Sequence, residues 1–459
     1  MAKDMTQGKP SKILIVFAMS ILATSILDYV YSATDSAMLG HFVDKHALGA
    51  ISSIVPAITL IQGVLLGLLS GFSITISRAF GSSDKEKIKK VIANAIFLAI
   101  VIIVPSMLIS FFLVRPIAAA MNVPDEFLND AVSYFSIIIL ALPISGTSWF
   151  CGGLFRAYGD SRTPMIISAL CGVLNVFFNY IFLAVIPLGV AGAAIGTVCA
   201  AALGAIAYVI LMIRKIPEVR SLFSVIRPKA YIVKELLNDG IAIALMNFVV
   251  NAGQVLIQRA INNFAPSVIT GVSSGSKIVN FLWNIALSLE SALMYFCSQN
   301  DGAGRIDRIK QGIKANLIIT TIAGVVCVGV MVIFREPLIR IFIGNGVDLD
   351  TTQTLYYGSI YLLTQVAFLP AIILMSSFRG TVRGLGSSIP TVACGIIELI
   401  CRAVVMVICE FSGFAQNVKI NILYLAGPAA WIGAVILLGI SIPMILKRKQ
   451  NKIALKQSL

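Results

Sequence analysis

The chain is built from long apolar runs separated by short polar segments. We place twelve such runs, with cores at approximately 13–34, 47–76, 91–113, 131–154, 164–185, 190–213, 236–261, 267–298, 313–334, 355–378, 389–410 and 420–446. A helix needs ~20 residues to cross a membrane, and lipid requires that the backbone satisfy its own hydrogen bonds. Hydrophobic residues form 58% of the chain and charged residues only 12%. We therefore predict an all-α polytopic membrane protein with twelve transmembrane helices.

A short sequence motif, called here the repeated phrase, occurs twice, about half a chain apart. Residues 156–164 read Arg-Ala-Tyr-Gly-Asp-Ser-Arg-Thr-Pro, and residues 383–390 read Arg-Gly-Leu-Gly-Ser-Ser-Ile-Pro. Each contains Arg-x-x-Gly and then Pro, and each lies between two apolar runs. Internal duplication of this kind is common in secondary transporters. The repeat predicts two homologous six-helix lobes.

Six crossings return a chain to its starting side, so the two lobes share one orientation. Their pseudo-twofold axis is then expected along the membrane normal. We assign residues 1–215 to the N-lobe with spans 1–6, and residues 216–234 to a cytoplasmic linker between the lobes. Residues 235–459 form the C-lobe, with spans 7–12 and a basic tail.

Basic residues collect on one predicted side of the membrane. The chain has 35 Lys and Arg residues and a formal net charge of +14. If the N-terminus is cytoplasmic, only five of the 35 basic residues fall on the outer face: Lys45, Arg115, Arg335, Arg340 and Lys419. Cytoplasmic loops are characteristically rich in Lys and Arg. The positive charge therefore indicates a multi-pass protein of the plasma membrane with both termini in the cytoplasm.

Several classes of protein are not supported by the sequence. The eight cysteines lie within or at the ends of spans, without a Cys-x-x-Cys pair, so we expect no disulfide and no metal site. A Gly-x4-Gly-Lys phosphate loop is absent, and no nucleophile pairs plausibly with a His. We therefore expect neither an enzyme nor an ATP-driven pump. The basic charge is explained by topology and contact with anionic lipid, so we expect no nucleic-acid partner.

Five short motifs resemble one transporter family. They are residues 35–40 (Asp-Ser-Ala-Met-Leu-Gly), 156–164, 174–179 (Leu-Asn-x-x-x-Asn), 189–194 (Gly-Val-x-Gly-Ala-Ala) and 298–303 (Ser-Gln-Asn-x-Gly-Ala). In this order and spacing they resemble the multidrug and toxic compound extrusion (MATE) family over nearly the whole chain. The resemblance implies an antiporter that exports amphipathic, often cationic, organic compounds by alternating access of two lobes. It also implies coupling to H⁺ or Na⁺, and we expect no bound cofactor.

Span 1 carries two carboxylates that are candidates for function. An ionisable group inside a membrane span is costly and is therefore a functional candidate by default. Asp28 and Asp35 are seven residues apart, which puts both on one helical face with Tyr31 between them. We predict that Asp35 binds the coupling ion or proton, and that Asp28 and Tyr31 line the substrate cleft.

Polar residues of spans 5 and 6 are further candidates for the ion site, on the basis of the family resemblance. Asn175 and Asn179 are four residues apart and so lie on one helical face, and Thr197 lies in span 6. The resemblance implies that this cluster binds the coupling cation or proton together with Asp35, with Na⁺ as the one metal ion expected there. Asn179 replaces the second carboxylate usual in the family, and an amide cannot exchange a proton. Helix–helix hydrogen bonding is the alternative role for the two asparagines.

The C-lobe contributes three further charged residues. Glu398 and Arg402 in span 11 are four residues apart, so we predict a structural ion pair. Glu290 in span 8 has no partner within a helical turn, and we predict it as a substrate-cleft or proton-binding residue.

Two further functions remain open from the sequence. The alternative within the same superfamily is a flippase of a lipid-linked oligosaccharide precursor, whose phosphates would require a basic cavity. The second open function is that of a scaffold or receptor that transports nothing. The acidic residues predicted inside the spans favour cationic cargo. We expect small organic substrates and the lipid bilayer as partners, and a monomer.

Overall fold

The computed structural model describes residues 4–43, 45–121, 123, 125–220, 228–343 and 351–457. The described part of the first half is helical throughout its apolar runs. Its helices are α1 (Pro10–Phe42), α2 (Lys45–Gly81), α3 (Lys85–Phe112), α4 (Val114–Ala120), α5 (Asp125–Leu140), α6 (Leu142–Ala157), α7 (Arg162–Tyr180), α8 (Gly189–Lys215) and α9 (Pro217–Arg220). A π-helical turn, Ile181–Val185, follows α7.

The second half repeats the same order of long and short helices. Its helices are α10 (Ala230–Ile261), α11 (Pro266–Gly302), α12 (Ile306–Ile333), α13 (Arg335–Phe342), α14 (Thr351–Ala367), α15 (Leu369–Gly384), α16 (Ser388–Phe411), α17 (Gln416–Tyr424) and α18 (Ala426–Gln457). In both halves a long helix is followed by a short one and then by a bent pair: α3 to α6 in the first, α12 to α15 in the second. The helical membrane fold predicted from the sequence is confirmed.

Two predicted spans are broken rather than straight. In the described residues, ten helical segments are long and apolar enough to cross a membrane, and the count rises to twelve if each bent pair is one span. The bends are 46° between α5 and α6 and 54° between α14 and α15. Pro143 and Pro370 lie at the starts of α6 and α15. A proline has no N–H and is favoured in the first turn of a helix, so each proline suits the start of a new helix.

Contacts divide the chain into two units whose bounds differ from the predicted lobes. The first unit comprises Met1–Asp4 and Met19–Ala244, and the second comprises Met5–Ala18 and Leu245–Leu459. The start of α1 thus groups with the second unit, and the start of α10 groups with the first. Part of the predicted linker, 221–227, lies outside the described residues.

Polar contacts explain why α10 begins in the first unit. Arg78 of α2 pairs with Glu235 at 2.8 Å and with Asp239 at 3.3 Å. Thr75 donates a hydrogen bond to Asp239 Oδ2 at 2.9 Å. Asp239 is only 5% exposed, so its carboxylate needs these partners, because a buried unpaired charge is costly.

The segment before α1 is held in the second unit through its backbone. The Met5 N–H donates to Gln299 Oε1 at 2.8 Å. Arg305 donates to the Thr6 carbonyl at 2.7 Å, and Arg308 donates to the Gly8 carbonyl at 3.0 Å. Hydrogen bonds with a charged donor are among the stronger ones in proteins. These contacts attach residues 5–8 to the end of α11, the turn after it and the start of α12.

The repeated phrase forms the same turn in both halves. Gly159 follows α6 with φ +76°, and Gly386 follows α15 with φ +63°. Both angles lie in the left-handed region, which glycine adopts without the clash that a Cβ causes. The Gly159 N–H bonds to the Arg156 carbonyl and the Gly386 N–H to the Arg383 carbonyl, both at 2.9 Å. The sequence repeat is therefore also a structural repeat.

We expect Gly159→Ala and Gly386→Ala each to destabilise the fold by about 1–2 kcal/mol, the cost of a left-handed conformation for a residue with a Cβ. The measurement is the unfolding temperature of purified protein in detergent. Gly172→Ala is the matched control, because a Cβ there would meet no atom within 4 Å and the residue lies inside α7. Equal unfolding temperatures for the three variants would contradict the role of the two turns.

Candidate functional site

The structure brings the predicted ion-site residues together in the first unit. Asp35 and Tyr31 lie on α1, Asn175 and Asn179 on α7, and Thr197 on α8. Both asparagine side chains are fully buried, with 0% exposure. We call these five residues the Asp35 cluster.

Hydrogen bonds connect the whole Asp35 cluster. The Asn179 amide nitrogen donates to the Asp35 carboxylate and to Asn175 Oδ1, the latter at 3.2 Å. The Asn175 amide nitrogen donates to the Tyr31 hydroxyl at 3.3 Å and to Thr197 Oγ1 at 3.2 Å. The network therefore joins one carboxylate, through two amides, to two hydroxyls on different helices.

Local structure around Asn179 lets α7 and α8 approach closely. Asn179 lies two residues before the π-helical turn Ile181–Val185, and such turns are frequent at functional sites. Gly196 of α8 faces the Asn179 side chain, and any Cβ at position 196 would overlap Asn179 Oδ1. Among the described residues, that oxygen has no hydrogen-bond partner. It is a buried acceptor on the same amide group that donates to the Asp35 carboxylate.

The donor set of the Asp35 cluster fits a proton or a hard cation. Carboxylate, amide and hydroxyl oxygens are the ligands that hard cations prefer. Asp35 is the one carboxylate among the five residues, and an amide cannot exchange a proton. No group of three or more His, Cys, Asp or Glu residues with metal-binding geometry occurs in the part of the chain that the structure describes.

Two predicted cleft residues have different surroundings. Tyr31 belongs to the Asp35 cluster, since its hydroxyl accepts from Asn175. Asp28, one turn earlier on α1, is exposed and is not joined to the cluster by these hydrogen bonds.

A second group of charges lies buried in the second unit. Arg383 pairs with Glu290 at 2.9 Å, and Arg379 pairs with the same carboxylate at 2.8 Å. Arg379 also contacts Glu398 at 3.6 Å, and Arg402 pairs with Glu398 at 3.1 Å. The order is therefore Arg383–Glu290–Arg379–Glu398–Arg402, which we call the ionic chain.

The prediction that Glu290 lacks a partner is wrong. Its side chain is 1% exposed and accepts hydrogen bonds from Arg379 and Arg383. The sequence prediction ended span 10 at residue 378 and so placed both arginines in a loop, whereas α15 continues to Gly384. Arg379 and Arg383 are four residues apart on one helical face, which was the available signal for a shared partner.

The Glu398–Arg402 pair is present as predicted from the spacing, and Arg379 extends it into the ionic chain. Glu290 belongs to α11, Arg379 and Arg383 to α15, and the other two residues to α16. The ionic chain thus ties three helices of the second unit together.

A family model described as MatE matches residues 20–181 and 242–408, one segment in each half of the chain. The chain belongs to the MatE family. The family resemblance inferred from the motifs is confirmed, and the MATE chain is a multi-pass membrane protein of this family.

Curated relatives cover most of the MATE chain. The probable multidrug resistance protein NorM of Thermotoga maritima is 25% identical, over 84% of this chain and 83% of the relative. The multidrug export protein MepA of Staphylococcus saprophyticus is 23% identical, over 83% of this chain and 84% of the relative. A crystal structure of MATE in complex with MaD3S superposes with a TM-score of 0.86 at 16% identity, covering 97% and 98% of the two chains. At that identity the structural likeness shows the fold alone.

We expect Glu290→Gln to destabilise the protein by about 3–5 kcal/mol, because it leaves buried guanidinium groups without their carboxylate. The measurement is the unfolding temperature in detergent. Glu86→Gln is the control, since Glu86 is 71% exposed. The double variant Glu290→Gln with Arg379→Gln removes one charge of each sign, so it should recover part of the loss.

A Glu290→Gln protein as stable as wild type would contradict this structural role. Recovery in the double variant is the readout that a general packing defect would not produce.

Proposed function

We propose that this MATE protein is an antiporter that exports amphipathic organic compounds in exchange for H⁺ or Na⁺ bound at the Asp35 cluster. The observation that carries the proposal is the assembly of one titratable carboxylate with buried amide and hydroxyl groups from three helices. A membrane carboxylate with a dedicated polar network is a functional site by default. The relatives named for multidrug resistance and export support the same class of cargo.

The hydrogen bonds suggest how ion binding acts on the helices. In the described arrangement the Asn179 amide nitrogen faces Asp35, which suits an ionised carboxylate. Protonation or cation binding removes the net negative charge and with it the charge-assisted hydrogen bond from α7 to α1. The amide can then turn its oxygen toward the new proton or cation, since Oδ1 has no partner among the described residues. Loading would thereby change the contact between α1, α7 and α8.

Charge balance supports cationic cargo. Glu290 and Glu398 are neutralised by arginines in the ionic chain. Asp28 and Asp35 on α1 are then the predicted span carboxylates left to attract a cation. Neutralisation of Asp35 would weaken this attraction and favour release, which is the coupling that an antiporter requires.

The distribution of basic residues supports the topology in which both termini are cytoplasmic. In the proposed antiport, H⁺ or Na⁺ moves from the outer side into the cytoplasm, and the organic compound moves from the cytoplasm to the outer side.

We expect Asp35→Asn to abolish gradient-driven transport, because an amide at position 35 cannot exchange a proton and carries no charge. The measurement is uptake of an ethidium-type dye into inverted vesicles, with proton and Na⁺ gradients imposed separately. Glu86→Gln, which removes an exposed carboxylate, serves as the control and should transport as wild type does.

Uptake driven by only one of the two gradients would identify the coupling ion. Wild-type uptake rates in Asp35→Asn would contradict the assignment of Asp35, and the absence of any gradient-driven uptake by wild type would contradict the antiporter.

A further inference from the structure

A row of four amide side chains follows one side of α10. Its members, which we call the amide face of α10, are Asn247, Asn251, Gln254 and Gln258. They are spaced by four, three and four residues, and this spacing puts them on one side of a helix. Three of the four are exposed, and Asn247 is half-buried. The part of α10 that belongs to the second unit therefore presents an uncharged polar surface.

Most of these amides have no partner in the protein. Gln258 donates to Asn262 at 2.9 Å. Among the residues that the structure describes, the side chains of Asn247, Asn251 and Gln254 make no hydrogen bond. α10 is long and apolar enough to cross a membrane, and Asn247 lies near its middle. Hydrocarbon cannot supply the missing hydrogen bonds, so water or a bound polar molecule must do so.

α11 has a face of the same kind. Its members, which we call the polar face of α11, are Ser273, Lys277, Asn280 and Asn284. Gly271 and Gly275, on the opposite side of the helix, pack against α14. Asn280 is exposed, and its side chain makes no hydrogen bond within the described part of the chain. The polar face of α11 thus points away from α14 and is open at Asn280.

The two faces carry little charge. Lys277 is their one charged member, and its ammonium group lies over the ring of Phe342, 5.4 Å from the ring centroid. The amides can both donate and accept hydrogen bonds. They therefore suit neutral polar groups such as hydroxyl, carbonyl and amide, and they supply no negative charge to attract a cation.

The two helices are also neighbours at one end. Residues 262–265 connect them, and Ile261 of α10 belongs to the same apolar cluster as Val268 of α11. Asn247 and Asn284 both lie near the middle of their helices. Secondary transporters hold their substrates near the middle of the membrane, which is the depth that these two residues reach.

We propose that the amide face of α10 and the polar face of α11 bind the uncharged polar groups of the transported compound. The cargo is then an amphipathic cation that also carries hydroxyl, carbonyl or amide groups. The proposal rests on the proposed antiport, since it names the chemistry of the cargo. The second unit contributes neutral hydrogen bonds, whereas the acidic residues of α1 supply the negative charge.

A second copy of the chain is the other occupant that such amides attract, because Asn and Gln side chains can join membrane helices. Helix–helix interfaces in membranes are rich in small residues that allow close approach. The exposed neighbours of the amide face are instead the large residues Phe248 and Val255. This composition favours cargo over a second copy.

The test compares the binding of two monovalent cations to purified full-length protein in detergent. Doxorubicin carries several hydroxyl and carbonyl groups, and tetraphenylphosphonium has no hydrogen-bonding group. Affinity is measured from the rise of the unfolding temperature with the concentration of each compound. We expect Asn251→Leu and Asn280→Leu each to weaken doxorubicin binding about tenfold, and to change tetraphenylphosphonium binding by less than about twofold, since only a hydrogen bond is lost.

Two further variants show that the amide itself is responsible. Asn251→Gln keeps an amide and should retain most of the doxorubicin binding. Val255→Leu changes an exposed apolar residue of the same helix and should bind both compounds as wild type does. Without either compound, the two leucine variants should unfold at or above the wild-type temperature, because an amide that lacks a partner in the protein has been removed.

The proposal is overturned if doxorubicin does not bind to wild type, or if the leucine variants weaken the binding of both compounds equally or of neither. A wild-type dimer that Asn251→Leu converts to monomers also overturns it, and assigns the amide face to a second copy. Binding is measured without any gradient. Failure of the antiporter is observed separately, as the absence of gradient-driven uptake into vesicles, so the two failures are distinguishable.

Discussion

Polar groups that this chain carries into the membrane must find partners within the protein or in what it binds, because the hydrocarbon interior offers neither hydrogen bonds nor counter-charges. Helix formation satisfies the backbone hydrogen bonds, but each polar side chain needs a partner of its own. In the first unit, Asp35 accepts a hydrogen bond from the Asn179 amide, and the network behind that amide consists of Asn175 and two hydroxyls, which carry no charge. In the second unit, Glu290 and Glu398 are held by arginines. The first arrangement leaves a charge that can change, and the second neutralises its carboxylates permanently.

The two arrangements share one pair of equivalent helices of the repeat, α7 and α16. Counted from the prolines at 164 and 390, Asn175 and Asn179 of α7 correspond to Cys401 and Val405 of α16. Glu398 and Arg402 correspond in turn to Gly172 and Val176. The same helix thus carries an amide pair in one half and an ion pair in the other. The two halves thus share a helical framework, whereas the polar residues on this helix differ between them.

The sequence anticipated the Asp35 cluster more closely than the ionic chain. Asn175 and Asn179 share a face by their spacing, and the motifs that resemble the MATE family carried Asp35 and Thr197 into the same group. The interpretation of Glu290 as an unpaired carboxylate was wrong because its partners are distant in the sequence. Its partner Arg379 is 89 residues away, and nothing in the local pattern around span 8 refers to α15. Local sequence also gave no sign that the start of α1 groups with the second unit and the start of α10 with the first. That grouping depends on contacts between distant residues, such as Arg78 with Asp239.

The amino-acid sequence by itself determined the helical membrane fold, the repeat with its two glycine turns, and the family. These depend on apolar periodicity, chain length and local conformation, which neighbouring residues specify. Only the tertiary structure decided the bends of two spans, the partners of Glu290 and which amides of α10 lack a partner among the described residues. Such features depend on which helices lie side by side, and a charge in the membrane interior is defined by its neighbours in space rather than along the chain.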